Sequence, residues 1–156
     1  MVLFVSSGAG LGYSPIAPGT FGTLAGIPVY LAFSLLPLWG YLIATGALTV
    51  LAIWAADRAE AIHGGHDDGR IVIDEAAGYV ATMTGVVPGV WDVILGFFIF
   101  RVIDIFKPWP CDAIDRRMPG GAGVVLDDMA AGVYGALLMH LFIWLWPTLG
   151  RPVWQG

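Results

Sequence analysis

Apolar runs and short polar clusters alternate along the chain, and their spacing predicts five apolar helical segments. The first covers residues 20–36, with Thr20 or Thr23 placed to cap it, Pro28 inside it and Pro37 at its end. A turn at Pro37–Leu38 leads into the second, residues 39–56, which continues into the polar stretch ADRAE and should stop at Gly64 and Gly65. The third opens at Asp74 and Glu75, where carboxylates interact well with free N–H groups, and is broken by Pro88–Gly89. A fourth covers residues 90–105, and a last one covers 129–146 before Pro147. The first two are near the lower length for crossing a bilayer; the third and fourth read as tilted spans or a shallow inserted hairpin. A hairpin buried in a soluble all-α protein is the alternative.

The polar clusters give these segments an orientation. Arg58, Arg70, Arg101, Lys107, Arg116 and Arg117 fall in two stretches, residues 57–75 and 100–128, while the turns at Pro37 and Pro88 carry no Lys or Arg. Basic residues favour the cytoplasmic side. Five segments then place the N-terminus and both polar stretches inside, with only Arg151 opposed. The expectation is an all-α, multi-helix integral membrane bundle forming one domain over residues 1–156. Its polar active-site loops would converge on the cytoplasmic face.

Composition agrees with that picture. Hydrophobic residues make up 58% of the chain and charged ones 12%, against about a quarter charged in ordinary soluble domains. Seven Trp and eight Phe suit a protein anchored at membrane interfaces. A net charge of -5 argues against nucleic-acid binding, because no basic surface is available for phosphates. The single cysteine, Cys111, excludes an internal disulfide. The first residues lack the basic region of a cleavable signal, so the apolar stretches are expected to stay in the mature protein.

The converging acids are Asp67–Asp68, Asp74–Glu75, Asp104 and Asp127–Asp128. Crowded carboxylates repel unless a cation or proton offsets them. Hard oxygen ligands suit Mg²⁺, which also binds substrate phosphates. Arg101 and Lys107 are candidates for phosphate oxygens. Acids for metal and bases for phosphate are what phosphoryl transfer needs. Structural roles compete at several positions. Asp104 shares a helix face with Arg101 and can simply pair with it. Asp127 and Asp128 can cap the last helix, and Asp112 and Asp115 can be turn or cap residues. Asp92 lies at the opposite turn and is left out. His63 and His66, three apart with no Cys partner, make a poor zinc pattern. Residues 6–23 are rich in Gly, Ser and Pro, yet lack the GK(S/T) of a phosphate loop. GGAG at 120–123 either approaches phosphate through its backbone or is a turn. KPWP at 107–110 suits a membrane interface.

Four segments together resemble the phosphatidylglycerophosphatase A family: APGTFGTLAGIP (17–28), IDEAAGY (73–79), FRVIDIFKPWP (100–110) and GGAGVVLDDMAAG (120–132). Thr23 stands where Ser is usual, and Cys111 where an aliphatic residue is common. The resemblance implies an all-helical enzyme of the bacterial inner membrane. Such an enzyme removes the terminal phosphate of phosphatidylglycerophosphate to give phosphatidylglycerol, and needs Mg²⁺. It implies functional roles for Asp74, Glu75, Arg101, Asp104, Lys107, Asp127 and Asp128, with the metal expected on Asp74, Glu75, Asp127 and Asp128. The expected partner is a phospholipid in the bilayer; oligomeric state is open. Attack by water and attack by an Asp carboxylate both fit. The rival functions are a phosphatase for another lipid or isoprenoid phosphate, and a non-enzymatic membrane protein that binds divalent cations.

Overall fold

The computed structural model of the chain describes residues 1–64 and 68–146. Its helices are α1 (Val2–Ser6), α2 (Pro18–Phe33), α3 (Leu38–His63), α4 (Ile73–Thr82), α5 (Val90–Phe106), α6 (Cys111–Arg117) and α7 (Gly121–Leu145). A 3₁₀ turn at Leu11–Tyr13 separates α1 from α2. The described residues hold no strand, so the expected all-α class is observed.

The shortest of the five helices that correspond to the predicted apolar segments is the most enclosed. In α4 every residue except Glu75 is buried, and α2, α3, α5 and α7 all pack against it. Its sequence, IDEAAGYVAT, allows this because small residues let neighbours approach. A Cβ on Gly78 would stand 2.8 Å from the Asp128 carbonyl oxygen, and one on Gly132 would stand 2.6 Å from the Gly78 carbonyl oxygen. The α4–α7 crossing is therefore backbone against backbone, which brings the acids of both helices into range of each other. Below them the core is aromatic. Tyr30 meets Tyr41 and Tyr79 edge-on. The three hydroxyls donate to the carbonyls of Val86, Val80 and Val93 at 3.0, 2.6 and 3.2 Å. They tie together the end of α4, the turn after it and the first turn of α5.

One boundary agrees with the sequence-based expectation and one departs from it. The predicted stop of α3 at Gly64 holds, with φ of 76° there. The last helix, however, begins at Gly121 rather than 129, and GGAG is its first turn instead of a loop. Glycine is a poor helix former, but contact with α3 outweighs that here: a Cβ on Gly121 would fall 2.5 Å from the Ile53 carbonyl oxygen. α7 has no cap from its own side chains. Asp57 of α3 supplies one, its Oδ1 accepting the Gly121 N–H at 3.1 Å. Asp127 and Asp128 thus lie about two turns inside α7 and do not cap it. The charged stretch between α5 and α7 also contains a helix, α6, with an exposed Arg116–Asp112 pair one turn apart.

Two of the five predicted segments, α3 with 26 residues and α7 with 25, are long and apolar enough to cross a membrane. Only 22% and 28% of their apolar windows are buried, unlike the core helix of a soluble protein. Trp39, Trp54 and Trp144 are exposed on them. This supports a membrane-associated protein. At 10 residues, α4 is far short of a span; α2 and α5, with 16 and 17, fall just under the usual length. Pro147, Arg151 and Trp154 lie outside the described residues.

Removing the cap that α3 supplies tests the packing directly. Asp57→Ala is expected to lower stability by about 1 kcal/mol, read as a lower thermal unfolding midpoint in detergent. Asp57→Asn keeps an acceptor and should stay near the parent.

Candidate active site

Asp74 and Glu75 occupy the first turn of α4, Asp104 the last turn of α5, and Asp127 and Asp128 the second turn of α7. With Lys107 and Val124 they line one cavity of about 150 Å³. Six of the seven residues singled out from sequence therefore meet at one place. The seventh, Arg101, stands behind Asp104, its Nη1 donating to Asp104 Oδ2 at 2.6 Å. The pairing anticipated for these two exists, and Asp104 faces the cavity as well. Asp68 is elsewhere: it accepts from Arg70 Nε at 2.7 Å and from Nη2 at 2.5 Å, and that pairing holds its carboxyl below the usual range. His63 lies 3.7 Å from Asp68. Asp67 and His66 fall outside the described residues.

The N-terminal segment reaches the site through α2. Gly19 sits against Glu75 Oε1, and a Cβ there would stand 3.1 and 3.2 Å from the two terminal nitrogens of Arg101. Thr23 keeps its hydroxyl on the Gly19 carbonyl, at 2.9 Å. Glycine at 19 leaves room for the Glu75 and Arg101 side chains, which a methyl would displace.

Three carboxylates form the inner group. Asp74, Glu75 and Asp128 each offer an oxygen within 4.8 Å of the others. Asp74 Oδ1, Glu75 Oε2 and Asp128 Oδ2 are buried without a hydrogen-bond partner. Buried acceptors left unsatisfied are costly. Burial, then the charge of Asp128, pushes the Glu75 carboxyl up to about 8. Burial, then Glu75, raises Asp74 well above its ordinary range. The donor set is all oxygen, the loose atoms converge, and the cavity has room for an ion with water. These residues fit a hard divalent cation.

Asp127 is differently employed. Its Oδ1 accepts the Asp128 N–H at 2.8 Å and its Oδ2 accepts from Lys107 Nζ at 2.6 Å. Lys107 also donates to Asp115 Oδ2 at 3.0 Å. Burial lowers the affinity of Lys107 for its proton, but these two carboxylates outweigh it and hold the ammonium charged. Asp115 is the contact that sequence reasoning set aside as a turn or cap residue. Eight positions from Lys107, across a helix break, it carries no periodic signal. Asp57 had none either.

A sequence model of the family described as phosphatidylglycerophosphatase A matches residues 4–143. The phosphatidylglycerophosphatase A of Escherichia coli (strain K12) is 37% identical over 141 residues, 90% of this chain and 82% of that protein. That of Haemophilus influenzae is 35% identical over 140 residues, 88% of this chain and 85% of the other. A Bacteroides thetaiotaomicron protein, provisionally named a phosphatidylinositol-3-phosphatase, is 37% identical over 151 residues, covering 92% and 94%. No solved structure matches. The family model and these relatives place the chain among lipid phosphatases of one family. The chain belongs to the phosphatidylglycerophosphatase A family.

The raised Glu75 carboxyl has a consequence for stability. The folded chain keeps this proton between about pH 4.5 and 8, where the unfolded chain has lost it. Stability of the metal-free protein should therefore decline as pH rises through that window and level off above it. Adding Mg²⁺ should raise the unfolding midpoint, most at the alkaline end, where the acids are free to bind it. A thermal-unfolding series across that window, with and without MgCl₂, measures both slopes. A midpoint indifferent to Mg²⁺ at high pH would rule out a metal site here.

Proposed function

We propose that the chain hydrolyses the terminal phosphate monoester of phosphatidylglycerophosphate to phosphatidylglycerol and phosphate. The reaction would depend on Mg²⁺ and run at the cytoplasmic face of the bacterial inner membrane. The observation that carries this reading is the cavity in which three unsatisfied buried carboxylates stand beside a Lys. The family assignment and the names of the Escherichia coli and Haemophilus influenzae relatives support the substrate.

In this scheme Asp74, Glu75 and Asp128 hold the metal, with Asp127 completing the acidic wall. Bound Mg²⁺ supplies neutralisation of the phosphate charge and activation of a water. Lys107 contributes a point charge to a phosphate oxygen, and Arg101, aimed by Asp104, a second donor. A carboxylate of the cluster takes the proton from the attacking water. The P–O bond to glycerol breaks, the water oxygen stays on phosphorus, and the glycerol oxygen takes up a proton. The acyl chains remain in the bilayer beside α3 and α7, which would place the polar loops and the N-terminus inside the cell. Residues 1–156 act as one domain in this reading.

Phosphate release from phosphatidylglycerophosphate in detergent, with Mg²⁺ present or chelated, is the direct test. Turnover should vanish on chelation. Asp128→Asn should lose about a hundredfold or more while keeping its circular dichroism spectrum and unfolding transition. Full activity in that variant would sink the metal assignment. The Bacteroides thetaiotaomicron relative favours one other reading, a different phosphomonoester lipid. Phosphatidylinositol 3-phosphate and an isoprenoid phosphate in the same assay separate it, since preference for either would displace phosphatidylglycerophosphate.

A further inference from the structure

The Lys107 ammonium is held from two sides, by Asp127 at 2.6 Å and Asp115 at 3.0 Å. An ammonium has three N–H donors. Two are used, which leaves the third for an oxygen in the cavity that Lys107 lines. The backbone of Lys107 is left-handed, with φ of 41° and ψ of 62°, where it ends α5. A side chain other than glycine adopts that region at an energetic cost, and such residues gather at functional sites. α6 presents Asp115 from a fixed platform. Cys111, at its start, is 1% exposed. α6 packs along α7, and the Trp109 carbonyl before it accepts the Tyr134 hydroxyl at 2.9 Å.

We infer that Asp115 is a positioning residue for phosphate binding: with Asp127 it fixes the Lys107 ammonium at the edge of the acid cavity. Asp127 alone would leave a long, flexible side chain held at one point beside a strongly negative site. The second carboxylate, on a separate helix, holds the ammonium between the two. α6 thereby acquires a purpose that its seven residues and mixed charge do not announce. The inference rests on Lys107 being a phosphate ligand.

The test is steady-state turnover of phosphatidylglycerophosphate in detergent with Mg²⁺, together with inhibition by inorganic phosphate. Asp115→Asn should raise KM and the phosphate inhibition constant about fivefold, leave kcat within about twofold, and leave the unfolding midpoint in place. Asp115→Glu should recover most of the loss, and it serves as the second variant if the amide folds poorly. In a Lys107→Met background, Asp115→Asn should change neither constant further, because the partner it positions is gone. Parent-like constants in Asp115→Asn overturn the inference, as does an equal loss in the Lys107→Met background. Lys107→Met with parent KM and phosphate inhibition overturns the reading of Lys107 itself, and the inference with it.

Discussion

Three buried carboxylates that each keep one oxygen without a hydrogen-bond partner, set against the most enclosed helix of the fold, are the constraint on which the rest depends. Asp74 and Glu75 open α4, and Asp128 meets them across the α4–α7 crossing. Burial removes the water that would otherwise screen them, so the charge of Asp128 adds to the raised proton affinity of Glu75, and that of Glu75 to the raised affinity of Asp74. A fold that only had to be stable would fill that space with apolar side chains. Keeping the acids commits the surrounding helices to holding mutually repelling groups in place.

The means of holding them is backbone proximity. Gly78 and Gly132 let α4 and α7 touch main chain to main chain, and Gly121 does the same for α7 on α3. Asp57 ties off the start of α7 through the Gly121 N–H, so the helix carrying Asp127 and Asp128 is anchored at its first turn. The tyrosine hydroxyls hold the far end of α4. The acids are thus positioned by short rigid contacts on either side.

The identity of these charged residues was legible in sequence because charge is conspicuous in an apolar chain: Asp74, Glu75, Asp104, Lys107, Asp127 and Asp128 all meet at one cavity. Convergence was legible only in part: three of the four acidic clusters meet at the cavity, while Asp68 of the fourth pairs with Arg70 outside it. The start of α7 was not. GGAG reads as a turn by propensity, and only the close face of α3, which no local pattern encodes, makes it helix. The same reason hid Asp57 and Asp115, whose partners lie across helix breaks. Five apolar segments were visible, but length and composition qualify only α3 and α7 as candidate spans; α2, α4 and α5 are shorter, at 16, 10 and 17 residues.

Charge also constrains the order of events in the proposed reaction. Arg101 and Lys107 are each already paired with a carboxylate, Asp104 for one and Asp127 with Asp115 for the other. The cations therefore do not make the cavity positive. With its five lining acids ionised and Lys107 its one lining cation, the cavity is strongly negative, and the charges that Arg101 and Asp115 bring from behind it cancel each other. A phosphate monoester carries up to two negative charges of its own, and repulsion at these distances in a partly buried site amounts to several kcal/mol. The site must take its cation no later than its phosphate, or retain protons on acids such as Glu75 until both arrive. Lys107 and Arg101 then contribute placement more than attraction, which is the use to which a side chain pinned by two carboxylates is suited.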